Sequence, residues 1–418
     1  MSENRKYQQW LITKYGLAEL RYIMKKIVFF VQWMLCGGVE NALISLGKEL
    51  RERGNNVTIC MIESYGEFIN KIPDGIRIQE IPMPDKVRKY LPVGGTKIAV
   101  RRAIYEKDYI KTIYLIFKHE INCAGFAELN IDFNKIPLLD EKYDIAVNFH
   151  IHSPFLVRYL EEKVEAKKKF TWIHNDFSTT RYNIRELKKY LDCVDQFFCV
   201  SQQLMDEFVG LLPEYRTFTR IAHNIVPIDE IRTKADAFYP DEYKNNNQIK
   251  ILTVGRLEEQ KGYNLAIRVA NILKSKGLKF QWYVLGNGTL HDKLANEIKR
   301  EGIEDCFYLL GIRRNPYPYF KNCDIYVQTS MHEGYATTVT EAKALYRPIV
   351  TTDVSGVREQ LIDGVNGEIT TFTEMDIADR IGKLIADGSM RDKYSNELFN
   401  MESSRIENWI DEFEREGE

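Results

Sequence analysis

The 418-residue chain is long enough for two ordinary domains of about 200 residues, each with its own hydrophobic core. Its 44% hydrophobic and 28% charged residues are typical of a globular protein and exclude a disordered or fibrous chain. The net charge of -2 argues against nucleic acid as a partner.

The seven cysteines are odd in number, widely spaced and without a CxxC pair. This pattern indicates neither a disulfide framework nor a structural zinc site, and it favours a reducing, cytoplasmic environment. The longest uncharged run, Ile27 to Val39, is too short to span a membrane. Residues 1–24 lack the apolar segment of a secretion signal, so we expect them to be an additional segment before the folded core.

The start of the core predicts a parallel sheet. Lys25 to Val31 is typical of a buried parallel strand, Val39 to Arg53 has apolar residues at helical spacing, and Asn56 to Glu63 predicts a second strand. Together these elements form one βαβ unit. Gly37 and Gly38, after the first strand, either let the backbone approach a ligand closely or make an ordinary tight turn.

Two later strands end in histidine residues. Tyr143 to His150 and Phe170 to Ile173 are apolar runs, and His174 directly follows the second. The carboxyl ends of parallel strands form the ligand-binding edge of an open sheet, so His174 is a candidate site residue, although it could equally be structural. Asn224 lies in a turn-prone junction, where it either contacts phosphate or caps the turn.

The segment 86–118 interleaves lysine and arginine with tyrosine and phenylalanine. This composition suits contact with an anionic membrane surface or with a lipid-linked acceptor. It is also typical of ordinary helices whose basic side chains extend along their surface.

The second half begins after a polar stretch, residues 233–247, that has no periodicity and predicts a linker. Beyond it strands and helices alternate again, from the strand Ile249 to Val254 to the helix predicted over Gly356 to Ile362. The predicted fold class is α/β, with two Rossmann-like, doubly wound parallel-sheet domains facing across a cleft. The predicted ranges are 1–232 for the first domain, 248–394 for the second, and 395–418 for a terminal helix.

The stretch Ser330 to Ala342 (SMHEGYATTVTEA) lies between a predicted strand and a predicted helix. The exposed amide groups and the positive dipole end of such a helix attract an anionic ligand. Glu333 and Glu341 accept hydrogen bonds from hydroxyl groups but repel phosphate. The combination predicts a ligand with phosphates between two hydroxyl-bearing parts, which describes a nucleotide sugar; the alternative is a solvated helix start.

Two cations follow the first strand of the second domain in the sequence VGRLEEQKG. Arg256 and Lys261 could stabilise the charge of a diphosphate, or could pair with Glu258 or Glu259 at the surface. The sequence contains no Asp-x-Asp pair and no acidic cluster typical of a magnesium or manganese site, so we expect chemistry without a metal. The GNG sequence at 286–288 lacks the third glycine of a dinucleotide fingerprint and predicts a tight turn.

These motifs, in this order, resemble the retaining glycosyltransferases of the GT-B fold, specifically the GT4 family of bacterial polysaccharide and glycolipid enzymes. The resemblance spans Lys25 to the C-terminus and rests on GGVE, WIHND, HN, VGRLxxxKG, the glycine after FYLL and the E-x7-E frame. One position differs from the family pattern, because Ala336 stands where glycine is common.

The resemblance implies that the terminal helix crosses back to the first domain, and it implies a role for each matching residue. Arg256 and Lys261 would hold the diphosphate, Glu341 the ribose and Glu333 the donor sugar. His174 would lie near the transferred sugar and the acceptor. The remaining donor-binding residues would be Gly37 and Gly38 at the phosphates, Asn224, the loop Gly311, Ile312 and Arg313 beside the base, and the backbone of Gly334, Tyr335, Ala336, Thr337 and Thr338.

The implied reaction transfers a sugar from a UDP-sugar to a hydroxyl of a glycan or lipid-linked glycan, with retention of configuration and no cofactor. The leaving phosphate itself would accept the proton of the acceptor. Three alternatives remain open from the sequence: a catalytically silent partner subunit of another transferase, a phosphorylase or epimerase on the same frame, and, as the weakest, a nicotinamide oxidoreductase.

Overall fold

The computed structural model describes residues 24–35, 37–88, 91, 104, 109, 113, 131–177, 184–244, 247–402 and 409–415. Residues 1–23 and nearly all of the basic aromatic segment lie outside this part of the chain. The chain divides into two compact units. The first comprises Met1–Val200, Leu204–Ile225 and Asn408–Glu418, and the second comprises Ser201–Gln203 and Val226–Glu407.

The first unit contains a seven-stranded parallel sheet in the order β3-β2-β1-β4-β5-β6-β7. Five of the six residues of β1 are fully buried or nearly so, as expected for a central parallel strand. The strands are β1 (Lys26–Val31), β2 (Asn56–Met61), β3 (Arg77–Glu80), β4 (Tyr143–Asn148), β5 (Ala166–Ile173), β6 (Gln196–Cys199) and β7 (Thr219–Ile221).

Helices alternate with these strands along the chain. They are α1 (Gly38–Glu52), α2 (Asp85–Arg88), α3 (Pro154–Lys163), α4 (Ile184–Leu191) and α5 (Gln202–Leu211). Ser153 caps the start of α3, where its hydroxyl accepts a hydrogen bond from the amide of Leu156, and Pro154 supplies the fixed φ angle of a first helical turn.

The second unit contains a six-stranded parallel sheet in the order β10-β9-β8-β11-β12-β13. Its strands are β8 (Ile249–Val254), β9 (Phe280–Leu285), β10 (Phe307–Gly311), β11 (Ile325–Gln328), β12 (Ile349–Thr352) and β13 (Glu368–Thr370). Its helices are α6 (Ile228–Ala235), α7 (Tyr263–Ser275), α8 (His291–Arg300), α9 (Tyr317–Asn322), α10 (Thr337–Ala344), α11 (Glu374–Ala386) and α12 (Gly388–Glu402).

Successive residues of the second sheet pack into two different hydrophobic clusters. Ile251 belongs to the cluster that includes α7, α8 and α11, whereas Leu252 belongs to the cluster that includes α6, α9 and α10. Because neighbouring strand residues point to opposite faces, helices cover both faces of this sheet. This confirms the predicted fold class of Rossmann-like, doubly wound parallel sheets.

Each sheet has a point where the strand order reverses. This switch point lies between β1 and β4 in the first sheet and between β8 and β11 in the second. Loops that leave neighbouring strands in opposite directions open a crevice there, at the carboxyl ends of the strands. Ligands of open α/β sheets bind in such crevices, so the loops after β8 and β11 are where a site is expected in the second unit.

Two parts of the chain differ from the sequence expectation. The helix predicted over Gly356 to Ile362 is wrong, because the chain there makes turns and Gly356 has a left-handed φ of 74°. The linker predicted at 233–247 overlaps α6, which starts at Ile228 and belongs to the second unit. The terminal helix α13 (Trp409–Arg415) belongs to the first unit.

Candidate functional site

The loops after β8 and β11 are bound to each other at the switch point of the second sheet. The hydroxyl of Thr329 donates to the carbonyls of Lys261 and Gly262, both at 3.1 Å. The amide of Met331 donates to the carbonyl of Gln260 at 2.8 Å. Gly262 has a left-handed φ of 65°, and a Cβ atom there would lie 2.0 Å from the Thr329 carbonyl oxygen. Glycine at this position therefore allows the two loops to meet.

This contact brings two of the predicted catalytic residues together. Lys261, in the short 3-10 helix Glu259–Lys261, forms an ion pair with Glu333 at 2.5 Å. Their side chains are 20% and 11% exposed, so the pair is largely shielded from water. A charge pair at this depth is screened less than a surface pair.

All hydrogen bonds that Glu333 accepts from the described residues go to one oxygen, Oε1. Lys261 Nζ lies 2.5 Å from it, Ser330 Oγ 2.6 Å and Gln328 Nε2 3.3 Å. Oε2 accepts no hydrogen bond within the described part of the chain. The carboxylate is thus held on one side and keeps a free acceptor on the other.

Gln328, the last residue of β11, is 4% exposed and connects Glu333 to the next helix. Its Oε1 accepts from the hydroxyl of Thr338 at 2.7 Å and from the hydroxyl of Tyr326 at 3.3 Å. Because a carboxylate only accepts hydrogen bonds, the amide NH₂ group faces Glu333 and the amide oxygen faces the two hydroxyls. One buried amide therefore links the carboxylate to the first turn of α10.

The N-terminus of α10 lies at the same edge of the sheet. The helix starts at Thr337, and the preceding Ala336 provides no side-chain cap for its first turn. An uncapped first turn presents amide donors and the positive end of the helix dipole. The predicted stretch Gly334 to Thr338 thus forms the end of a loop and the start of a helix, which is the geometry expected for an anion site.

Glu341 lies on α10, four residues beyond Thr337 and so one helical turn further along the same face. The hydroxyl of Tyr317 donates to its Oε1 at 3.4 Å. Burial, followed by the nearby charge of Glu341, raises the pKa of Tyr317, so this hydroxyl keeps its proton.

The surface pairs considered for the two cations do not form. Arg256 is exposed and makes no ion pair with any residue that the structure describes. Glu258 accepts from Thr289, and Glu259 pairs with Lys293 at 3.0 Å. Arg256 is therefore available to an anionic ligand, whereas Lys261 is already paired with Glu333.

The loop at 311–313 follows β10. Gly311 has a left-handed φ of 72°, and Ile312 is 65% exposed. Arg313 donates to Glu242 at 2.7 Å and to the hydroxyl of Tyr319 at 3.0 Å. The arginine is thus anchored to its own unit, and the exposed apolar side chain of this loop is that of Ile312.

In the first unit, His174 directly follows β5 and is 4% exposed. The centroid of its ring lies 4.5 Å from that of Phe149 and 6.3 Å from that of Trp172, on which it is stacked. Neither ring nitrogen has a hydrogen-bond partner within the described residues. Burial, and then the neighbouring His150 and His152, lower the pKa of His174 well below its ordinary value, so the imidazole is neutral at physiological pH.

The other predicted residues of the first unit lie near the ends of helices or strands. Gly37 immediately precedes α1 in an extended conformation, and Gly38 is its first residue. Asn224 follows β7 and is partly buried. The structure thus places Gly37 and Gly38 at a helix N-terminus.

Sequence reasoning missed three residues of the second unit that contact the predicted carboxylates. They are Gln328 and Ser330 beside Glu333, and Tyr317 beside Glu341. Gln328 offered a signal, since it is a polar residue that ends an apolar strand at the ligand-binding edge. Tyr317 comes from α9, and nothing in its local sequence indicates that it faces α10.

The described residues hold neither a cluster of metal ligands nor a membrane-spanning helix. In the described ranges there is no group of three or more histidine, cysteine, aspartate or glutamate residues that could hold a metal ion. Among the helices described, none combines the length and the apolar character that a membrane span requires.

Comparison with known proteins matches most of the second unit to a family. Residues 236–400 match the family model described as glycosyl transferases group 1. An uncharacterized glycosyltransferase of Methanocaldococcus jannaschii is 28% identical over 330 residues, which is 71% of this chain and 79% of that protein. An N-acetylgalactosaminyltransferase of Campylobacter jejuni that acts on a diphospho-undecaprenol-linked sugar is 31% identical over 42% of this chain, but the chain covers less than half (47%) of it.

Solved structures share the fold over nearly the whole chain. HepE of Anabaena in complex with UDP aligns with a TM-score of 0.67 and 18% identity, covering 91% of this chain and 96% of HepE. A variant of Staphylococcus aureus TarM in complex with UDP aligns with a TM-score of 0.64 and 15% identity, covering 93% of this chain and 98% of TarM. At these identities the similarity shows a common fold.

Proposed function

We propose that this chain, a glycosyltransferase whose second unit carries a group 1 domain, transfers a sugar from a UDP-sugar to a hydroxyl group with retention of anomeric configuration. The observation that carries the proposal is the arrangement at the switch point of the second sheet. There the Lys261–Glu333 ion pair lies beside the uncapped N-terminus of α10. A cation, a carboxylate and helix amides in one crevice match the phosphates and hydroxyls of a nucleotide sugar.

Fixed cations would stabilise the diphosphate without a metal ion. Arg256 is exposed and unpaired among the described residues, so its guanidinium can form two parallel hydrogen bonds with phosphate oxygens. Lys261 Nζ, held 2.5 Å from Glu333, would contact the phosphate next to the sugar. Both charges would be in place before the leaving group departs, which lowers the barrier to its departure.

The two carboxylates would bind the two hydroxyl-bearing parts of the donor. Glu333 has a free Oε2 that can accept from a hydroxyl of the donor sugar. Glu341, one turn into α10, would accept from the ribose hydroxyls. The amides of residues 334–338 would lie between them, at the phosphates, and the loop at 311–313 would flank the base.

The proton of the acceptor hydroxyl would pass to the leaving phosphate. His174 is neutral, because burial lowers its pKa, so it can donate or accept a hydrogen bond without carrying charge. We assign it to the transferred sugar and the acceptor, and we assign Gly37, Gly38 and Asn224 to the donor phosphates.

We infer the classes of donor and acceptor from the names of related proteins and the ligands bound to them. HepE and TarM were solved with UDP. The Campylobacter relative acts on a lipid-linked sugar, and a Bacillus subtilis relative, of which this chain covers 36%, is named a poly(glycerol-phosphate) α-glucosyltransferase. We therefore propose a glycan or lipid-linked glycan acceptor, reached from the cytoplasm, with peripheral membrane contact through residues 86–118.

The donor is identified by thermal shift. UDP-glucose, UDP-galactose, UDP-N-acetylglucosamine, GDP-mannose and ADP-glucose are each added to the protein with EDTA present. A ligand that binds only the folded state raises the melting temperature. We expect a UDP-sugar to give the largest rise, and no rise with any compound would contradict the donor assignment.

The reaction itself is tested with that donor and a mixture of extracted membrane lipids and glycans, again in EDTA. We expect UDP release coupled to sugar transfer, and the anomeric proton coupling of the product should match that of the donor sugar. Arg256→Ala and Glu341→Ala should each lower the rate at least about tenfold. Inverted product, a requirement for a divalent metal, or full activity of both variants would overturn the proposal.

A further inference from the structure

We propose that Gln328 is a positioning residue of the donor site, which fixes the carboxylate of Glu333 so that Oε2 faces the donor sugar. This inference rests on the proposed function, since it assigns Gln328 a role in presenting one acceptor to a sugar hydroxyl. It adds a residue that binds neither the nucleotide nor the sugar.

The geometry around Glu333 distinguishes its two oxygens. Lys261, Ser330 and Gln328 all donate to Oε1, while Oε2 accepts nothing from the described residues. A carboxylate that is held through one oxygen can turn only within a narrow range. The free oxygen then points in one direction, towards whatever donor enters the crevice.

The three donors differ in how they respond to a bound substrate. Lys261 is a flexible cation, and a diphosphate that binds beside it would compete with Glu333 for its hydrogen bonds. Gln328 and Ser330 are neutral and would keep their contacts with the carboxylate when phosphate arrives. Both side chains are buried, but Gln328 lies on the central strand β11 whereas Ser330 lies in the loop that follows it, so Gln328 is the more rigid support.

The orientation of the Gln328 amide is itself fixed. The carboxylate of Glu333 only accepts, so the NH₂ group faces it, and the hydroxyls of Thr338 and Tyr326 then donate to the amide oxygen at 2.7 and 3.3 Å. The contact with Thr338 also ties the carboxylate to the first turn of α10. Gln328 thereby couples the group that would bind the sugar to the helix end that would bind phosphate.

The test replaces Gln328 by methionine, which has a similar volume and no polar amide. Gln360→Met is the matched control, because Gln360 is 2% exposed and accepts from Thr340 of the same helix but does not contact Glu333. We expect Gln328→Met to lower kcat/KM for the donor about tenfold to a hundredfold. UDP, which lacks the sugar, should bind this variant within about threefold of the wild type. Gln360→Met should leave both values within about twofold.

A double-mutant cycle shows whether Gln328 acts through Glu333. In a Glu333→Ala background, adding Gln328→Met should change kcat/KM by less than about twofold, because the group that it positions is absent. An undiminished tenfold loss in that background would overturn the proposal, and so would a Gln328→Met variant as active as the wild type. If Gln328→Met does not fold, Thr338→Val, which removes the hydroxyl that orients the amide, should show the same non-additivity with Glu333→Ala.

These outcomes are separate from those for the proposed function. A wild-type protein that binds no nucleotide sugar and transfers none contradicts the function itself. If the wild type transfers sugar but the losses of kcat/KM from Gln328→Met and Glu333→Ala are additive, only the positioning role is contradicted.

Discussion

The two carboxylates of the candidate site have different surroundings. Three donors reach one oxygen of Glu333, and its side chain is 11% exposed. Glu341 stands on a helix, with the hydroxyl of Tyr317 at 3.4 Å. A rigid, largely shielded carboxylate suits discrimination among sugar hydroxyls, because a mispaired polar group in such a place costs more than one in water.

Residue-level chemistry also predicts a pH dependence of stability. His174 is 4% exposed, and burial lowers its pKa well below the ordinary value. Below a pH of about 6.5 the unfolded chain takes up a proton at this residue and the folded chain does not, so the free energy of unfolding falls as the pH falls from 6.5 to 5. We measure the free energy of unfolding with urea at both pH values. In His174→Phe it should fall by up to about 2 kcal/mol less than in the wild type.

The control for this prediction is Phe149→Leu, which changes the packing against the His174 ring without removing a titratable group. It should leave the slope of stability against pH as in the wild type. A slope that His174→Phe does not reduce would contradict the assignment of a neutral, buried imidazole.

Single residues of the site were predictable where they carry charge. Lys261 and Glu333 stand in motifs with a chemical reason for each residue, and the structure brings the two together. Their direct ion pair was not predicted, because the sequence interval of 72 residues gives no distance in space. Gln328 was missed because an uncharged side chain at a strand end resembles many that only pack.

At the scale of elements, the site depends on the loops after β8 and β11, whose backbones are hydrogen-bonded to each other at the switch point. Gly262→Ala should disrupt this contact, because its Cβ would lie 2.0 Å from the Thr329 carbonyl oxygen. We expect a loss of about 2 to 4 kcal/mol in the free energy of unfolding, together with weaker UDP binding. Chemical denaturation and calorimetry measure the two effects.

Gly277→Ala is the matched control for that change. Gly277 has a left-handed φ of 76°, close to the 65° of Gly262, but no atom lies within 4 Å of its Cβ position. Only the backbone strain remains, so the loss should be about 1 kcal/mol, with UDP binding unchanged. Equal losses of unfolding free energy in Gly262→Ala and Gly277→Ala would show that the contact between the two loops does not cause the loss.

The terminal helix α13 is an integral part of the first unit's core. Phe413 is fully buried against Phe29, Phe170, Trp172 and Phe198. Phe413→Ala should therefore cost about 3 to 5 kcal/mol, measured by urea unfolding. Arg415→Ala, in the same helix but on its surface, should stay within about 0.5 kcal/mol, and a similar loss from both would argue against core packing.

Apolar strands were predictable and polar ones were not. The strand Ile249–Val254 has the predicted bounds, because a buried parallel strand requires a continuous apolar run. β3, β7 and β13 were not predicted, since they have three or four residues and little periodicity. The false helix over Gly356 to Ile362 has helical spacing, but the left-handed Gly356 begins a series of turns.

At the scale of the whole molecule, two doubly wound sheets were predictable because each βαβ unit follows from local pattern and obligatory handedness. The order of motifs also predicts that the second unit binds the donor, and the group 1 family match covers residues 236–400 of that unit. The acceptor follows from no such motif, because acceptors vary among relatives that share this fold.

We expect the C-terminal edge of the second sheet to bind the nucleotide diphosphate of a sugar donor. Isothermal titration of UDP in EDTA tests it most directly, with wild type, Arg256→Ala and Glu341→Ala at matched folded fractions. We predict one UDP per chain for the wild type and affinities at least about tenfold lower for each variant, about 1.4 kcal/mol or more. Equal UDP affinity in all three proteins, or no binding to the wild type, would contradict the claim.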